Sequence, residues 1–269
     1  MDSDSDEESA VDTEYRFERK LDNRLFPQFP LYCEGLEKPM LRGISHLLCC
    51  LLLPFGMWHL IVEAKGSFWG ELAAFFYVGS NMWCYGFSAL FHVGTWSVKT
   101  EIMLQKLDHC GIAILSCGTF LPVSLLLFSP RVGNMLIWLS CSACIWACWN
   151  IMNLRPSIIR LVIVPSCFIP FLPFCYQRMN AIEYRGTICT MLLQVIGLII
   201  FNSKKPDPWP RIFGYHEVFH IFVISAGICV YLANWSIIRR TSSPYARDID
   251  VVEILKSLFF PHSEDYVHS

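Results

Sequence analysis

The sequence predicts an all-α polytopic membrane protein, a bundle of seven transmembrane helices with its N-terminus in the cytosol. Composition is the first reason. Hydrophobic residues make up 54% of the 269, against 16% charged and 14% aromatic. A soluble globule carries about 25% charged residues, so this chain has too few charges to cover a water-facing surface. Mean hydropathy is +0.42, which also excludes disorder for most of the length. The second reason is pattern: from residue 43, long apolar runs alternate with short polar breaks. A helix needs about 20 mostly apolar residues to cross the hydrocarbon, and the runs have that length. The net charge of −2 offers no basic field for nucleic acid, so no such partner is expected.

Three regions follow along the chain. Residues 1–30 begin MDSDSDEESA and read as an acidic disordered tail, whose charge does not fit a secretory signal. Residues 31–240 hold the membrane domain, and 241–269 read as a polar C-terminal tail. Crossings are expected at 43–62, 68–91, 107–128, 132–149, 158–176, 182–201 and 215–238. The fifth carries Pro165, Pro170 and Pro173 and is expected to be kinked, with neighbours repairing the lost hydrogen bonds. The sixth has the weakest signal, because Glu183 and Arg185 must sit at its interfacial end. Asn234-Trp235-Ser236 matches a glycosylation acceptor but falls within the seventh helix, so it is expected to stay unmodified.

Basic residues near helix ends set orientation. Nine lie on the amino-terminal side (Lys38, Arg42, Lys99, Lys106, Arg155, Arg160, Lys204, Lys205 and Arg211). Six lie opposite (Lys65, Arg131, Arg178, Arg185, Arg239 and Arg240). The bias favours a cytosolic N-terminus, and seven crossings then place the C-terminus outside. The 13 cysteines fall mostly within apolar runs, where a free thiol acts as a small polarisable hydrophobe. An odd count with no CxxC pair argues against a disulfide framework or a Cys-rich zinc site.

Ionisable groups inside a membrane are costly, so each is a functional candidate. On this topology they cluster. His92 ends the second crossing, Asp108 opens the third, and His216 and His220 open the seventh, all at the inner end. His216 and His220 are four apart and share a helix face, so they can chelate one metal, with His92 as a third nitrogen. Three neutral imidazoles plus a water describe an open, catalytic type of zinc site. Ser88 lies one turn before His92 on the same face, within reach of the water or a substrate oxygen. The plain alternative is a helix-end histidine pair bonded to carbonyls. His216-Glu217-Val218-Phe219-His220 also matches the HExxH pattern of zinc proteases, with Glu217 as base. Its context is wrong for a protease, since it opens a membrane helix with no downstream third ligand. His109 points about 100° away from Asp108 on a helix and is not expected to ligate. His46 fits packing or interface anchoring better than support of the site, and His59 lies at the opposite end.

Several blocks in order carry a resemblance. They are Leu41-Arg42-Gly43-Ile44-Ser45-His46, Ser88-Ala89-Leu90-Phe91-His92, Leu107-Asp108-His109-Cys110-Gly111-Ile112 and Gly118-Thr119-Phe120-Leu121-Pro122. The last runs from Pro208-Trp209-Pro210-Arg211 through Gly214-Tyr215 to His216 and His220. Across about residues 37–238 the chain resembles the hemolysin III family, within the progestin and adipoQ receptor superfamily. That resemblance implies a seven-helix bundle with a zinc near the inner leaflet, bound by the positions of His92, His216 and His220. It further implies that Asp108 holds the metal's water and that Ser88 belongs to the same site. Relatives carry other residues at the position of Glu217, which weakens the protease reading.

The function this favours is zinc-dependent hydrolysis of a lipid amide in the membrane, with ceramide suggested by analogy to adiponectin receptors. Asp108 would move the water's proton and Ser88 would steady the oxyanion. The alternative is a receptor or structural membrane protein in which zinc only pins three helices. A pore-former, as the family name suggests, should show polar faces along whole helices, and these are polar mainly at one end.

Overall fold

The computed structural model describes residues 38–153 and 158–242, and both expected tails lie outside them. Six helices are continuous: α1 (Ile44–Glu63), α2 (Phe68–Val93), α3 (Val98–Leu126), α4 (Pro130–Asn153), α7 (Ala181–Ser203) and α8 (Tyr215–Thr241). Between α4 and α7 the chain makes one broken pass, from α5 (Ile158–Ser166) through a 3₁₀ turn (Ile169–Phe171) to α6 (Leu172–Arg178). No strand pairs with another among the described residues beyond an isolated bridge between Trp209 and Phe213.

Five helices (α1, α3, α4, α7 and α8) are long and apolar enough to cross a membrane. α2 has 26 residues but spends its inner face on Ser80, Asn81, Ser88 and His92, all buried. The outward faces carry what lipid requires: Leu52, Phe55 and Trp58 on α1 and Trp138, Ile145 and Trp149 on α4 are exposed. The chain is therefore an integral, multi-pass, all-helical membrane protein.

The fifth pass is interrupted rather than kinked. Pro165 sits inside α5, and Pro170 and Pro173 each stand at the start of a new helical piece, where a missing N–H costs nothing. The third helix begins at Val98, nine residues before the expected crossing, because the Ser97 side chain accepts from Thr100 N and caps it. Asp108 therefore lies in the third turn of α3 rather than at its start.

α8 is the hub: it packs against α7, α1, α3 and α2. α2 and α3 approach closely because glycines stand at the crossing. A Cβ at Gly111 would fall 2.9 Å from Cys84 Cα, and one at Gly118 would meet the Ser80 side chain. This approach sets Asp108 on α3 beside His92 on α2.

The end opposite the histidines is tied by one buried carboxylate. Glu183 is fully buried in the first turn of α7, where it and Asn180 form a capping box. Arg240 near the end of α8 donates to both Glu183 oxygens at 2.7 and 2.9 Å and to Arg178 O at 2.8 Å. Ser236 donates to Glu183 at 2.8 Å, and Arg178 reaches Leu127 O at 2.6 Å. An acidic residue that weakened the sequence signal for this crossing thus fastens α6, α7 and α8 together. Glu183→Ala is expected to lower unfolding stability by about 3 kcal/mol, since it leaves a buried network without its acceptor. Reversible denaturant unfolding in detergent micelles checks this; an unchanged midpoint would contradict it.

Candidate metal centre

Construction of the site starts where α1, α2 and α8 meet. Gly43 precedes α1 with φ 78, a left-handed backbone that an L side chain adopts at a cost. A Cβ there would stand 2.7 Å from His92 Cβ, so only glycine lets α1 start against the end of α2. Lys38 is buried and donates to Phe91 O at 3.1 Å and Gly94 O, which satisfies the last carbonyls of α2. The start of α8 is fixed by Glu217, which accepts from Gly214 N at 2.7 Å and pairs with the Arg42 guanidinium. Asp207 accepts from Tyr215 N at 2.8 Å.

On that frame His92, His216 and His220 converge. One ring nitrogen from each lies within 4.8 Å of the others. Ring centroids are 4.6 Å apart for His92–His216 and for His216–His220, and 5.5 Å for His92–His220. His92 and His220 are buried and His216 half-buried. His220 Nδ1 is buried without a hydrogen-bond partner among the described residues. An unpartnered buried imidazole nitrogen is costly unless a further group binds there. Three imidazole nitrogens on two helices could hold one divalent ion, and they form a donor set suited to zinc.

Asp108 is next to this triad, its Oδ2 3.9 Å from His92 Nε2. Ser88, one turn from His92 and buried, bonds His46 Nδ1 at 2.8 Å and is within reach of the Asp108 carboxylate. Its hydroxyl is therefore engaged, and it positions neighbours more readily than it faces a substrate oxygen. His109 lines the cavity but stands outside the triad, and its Nδ1 donates to Gln105 O at 2.6 Å. His59 bonds Tyr231 at the far end of α1. Asn234 is buried and donates to Thr119 O at 3.1 Å, out of reach of any glycosylating enzyme.

His46 stands closer to the site than its position in the sequence suggests. It is buried, and its ring stacks on His220 with centroids 3.8 Å apart and an interplanar angle of 12°. The expected packing is therefore packing against the cluster itself, and the ring does not anchor at the interface. The spacing Gly43-Ile44-Ser45-His46, which starts α1 one turn from its histidine, was the available signal.

The cluster forms the polar end of a cavity of about 930 Å³. Its walls run from Asp108, His92 and His216 past Phe219 and Val223 to Ser116 and Gln194, between α3, α5, α7 and α8. The volume lies at the upper end of the range for small-molecule sites.

Residues 35–231 match the family model of haemolysin-III-related proteins. The chain belongs to that family. It is also 28% identical over 178 residues to the adiponectin receptor protein of Drosophila melanogaster. That match covers 58% of this chain and 40% of the receptor, so the chain corresponds to less than half of the relative's length. Both findings place it in the progestin and adipoQ receptor superfamily.

The tight seat of Gly43 gives a direct check. Gly43→Ala adds a left-handed strain and a clash with His92, and about 1–3 kcal/mol of stability is expected to be lost. Thermal unfolding measures it. A wild-type melting curve would mean that α1 does not start against α2 as described.

Proposed function

We propose that this haemolysin-III-related protein is a zinc-dependent hydrolase that cleaves the amide bond of a ceramide-like membrane lipid. The observation that carries the reading is the position of Asp108: a carboxylate 3.9 Å from a histidine of the triad, at the polar end of a long, mostly apolar cavity. A purely structural metal has no need of a base there. Zinc held by His92, His216 and His220 would acidify a water and polarise the scissile carbonyl. Asp108 accepts a proton from the attacking water and returns it to the leaving amine, so one water and one amide give a fatty acid and an amine. Ser88, bonded to His46 on one side and beside Asp108 on the other, would keep the carboxylate turned toward the attacking water. The apolar walls take up the acyl chain and keep bulk water from the site.

Glu217 has other work. It holds the start of α8 and pairs with Arg42, which argues against a protease-like base at this position. A receptor reading draws support from the name of the Drosophila relative. In that case the cavity binds a lipid without turnover. With the histidines at the cytosolic face, as the nine-to-six basic bias favours, the substrate would come from the inner leaflet.

Asp108→Asn separates the two readings. Zinc content is expected to stay near wild type while hydrolysis of a labelled ceramide falls about 10²–10⁴-fold, the usual worth of a positioned general base. A silent substitution would favour the receptor reading, and loss of zinc would make Asp108 a ligand. Glu217→Gln is expected to keep zinc and activity but to lose about 1–3 kcal/mol of stability with its ion pair. Abolished activity with zinc retained would instead make Glu217 the base. Protease digestion of terminal tags in sealed vesicles tests the orientation, with an N-terminal tag accessible from outside as the contrary result.

A further inference from the structure

Beyond the histidines the cavity contains a second, isolated polar group. Gln194 lies on α7, seven residues before Phe201, whose ring packs 5.4 Å from that of His216. Seven residues of helix place it roughly 10 Å deeper than the histidines. Its side chain is half-buried, and its amide makes no hydrogen bond among the described residues. Two other polar side chains of the cavity wall bond within the protein. Ser116 on α3 donates to Ile112 O at 2.9 Å, and Ser166 on α5 donates to Val162 O at 2.8 Å. Both line the same cavity as Gln194, and their oxygens keep lone pairs to accept with. A small extension of about 20 Å³, large enough for about one water, adjoins it, bounded by Ser116, Thr190, Gln194 and Asn234.

We infer that Gln194, with Ser116 and Ser166, forms a subsite that selects acyl chains carrying a hydroxyl near the middle of the chain. The inference rests on the lipid-hydrolase reading for the position of the acyl carbonyl and goes beyond it in naming the chain. An amide offers both donor and acceptor, and the two serine oxygens offer acceptors. A hydroxyl, which donates once and accepts, satisfies the set. A plain methylene chain instead leaves the amide of Gln194 without a partner in an apolar surround, which costs free energy. From a carbonyl at the histidine end, the depth corresponds to on the order of eight carbons of extended chain. A hydroxyl beside the carbonyl or at the chain end would miss the subsite.

Binding tests this without relying on turnover. The probes are octadecanoic acids bearing a hydroxyl near mid-chain, at the terminal carbon or nowhere, each displacing a fluorescent fatty acid from the purified full chain. The mid-chain acid is expected to bind about tenfold more tightly than the other two, the worth of one or two net hydrogen bonds. Gln194→Met, close in volume, is expected to abolish that preference while leaving zinc content and binding of the unsubstituted acid intact. Equal binding of all three acids by the wild type, a preference that survives Gln194→Met, or no chain binding at all would overturn the subsite. Selective binding with no hydrolysis of the matching amides would leave the subsite standing and count against the hydrolase reading alone.

Discussion

Inside hydrocarbon, a polar side chain must find its partner within the protein or lose several kcal/mol. That requirement organises both ends of this bundle, in different ways. At the far end the chain itself meets the buried carboxylate: Glu183 takes up the amino end of α7 together with Arg240 and Ser236. At the histidine end Lys38 closes α2 and the Arg42–Glu217 pair fixes α8, yet buried His220 Nδ1 is left over. His220 is one of the three imidazoles that meet here. A single cation bound there would answer all three at once, which supports the proposed metal site.

The helices themselves hold the imidazoles close. His216 and His220 share one face of α8, the hub of the bundle, and His46 stacks against His220 from α1. His92 arrives from α2, whose end is capped by Lys38 and whose side is pressed by Gly43. Asp108 is brought in by the close α2–α3 crossing at Gly111 and Gly118. A substitution at any of these small residues acts on the site through the backbone. The cavity then leads away from the polar cluster along apolar walls, a shape that suits a long-chain ligand with one polar end.

Much of this was legible before any coordinates. Apolar run length located the passes, because lipid imposes one span on every helix, but it missed the polar first turns that start the third helix at Val98. Rarity of charge inside those runs picked out His92, Asp108, His216 and His220, since few other ionisable groups lie there. What failed were features that depend on neighbours. Pro165 reads as a kink until the following pieces, started by Pro170 and Pro173, show a broken pass. Glu183 reads as a liability because its partner Arg240 lies 57 residues away. His46 reads as an interface residue because nothing local reveals that α1 starts against His220. Glu217 matches a catalytic pattern, and only the geometry of Gly214 and Arg42 gives it a structural role.

The proposed zinc site, three imidazoles from α2 and α8 around one ion, has a direct test. X-ray absorption at the zinc edge, on protein purified in detergent without added metal, addresses it most directly. The expected result is one zinc per chain with nitrogen and oxygen scatterers at about 2.0–2.1 Å and no sulfur. Sulfur scatterers at about 2.3 Å would assign the metal to the cysteines, and folded protein isolated without zinc that takes up none when it is added would contradict the site.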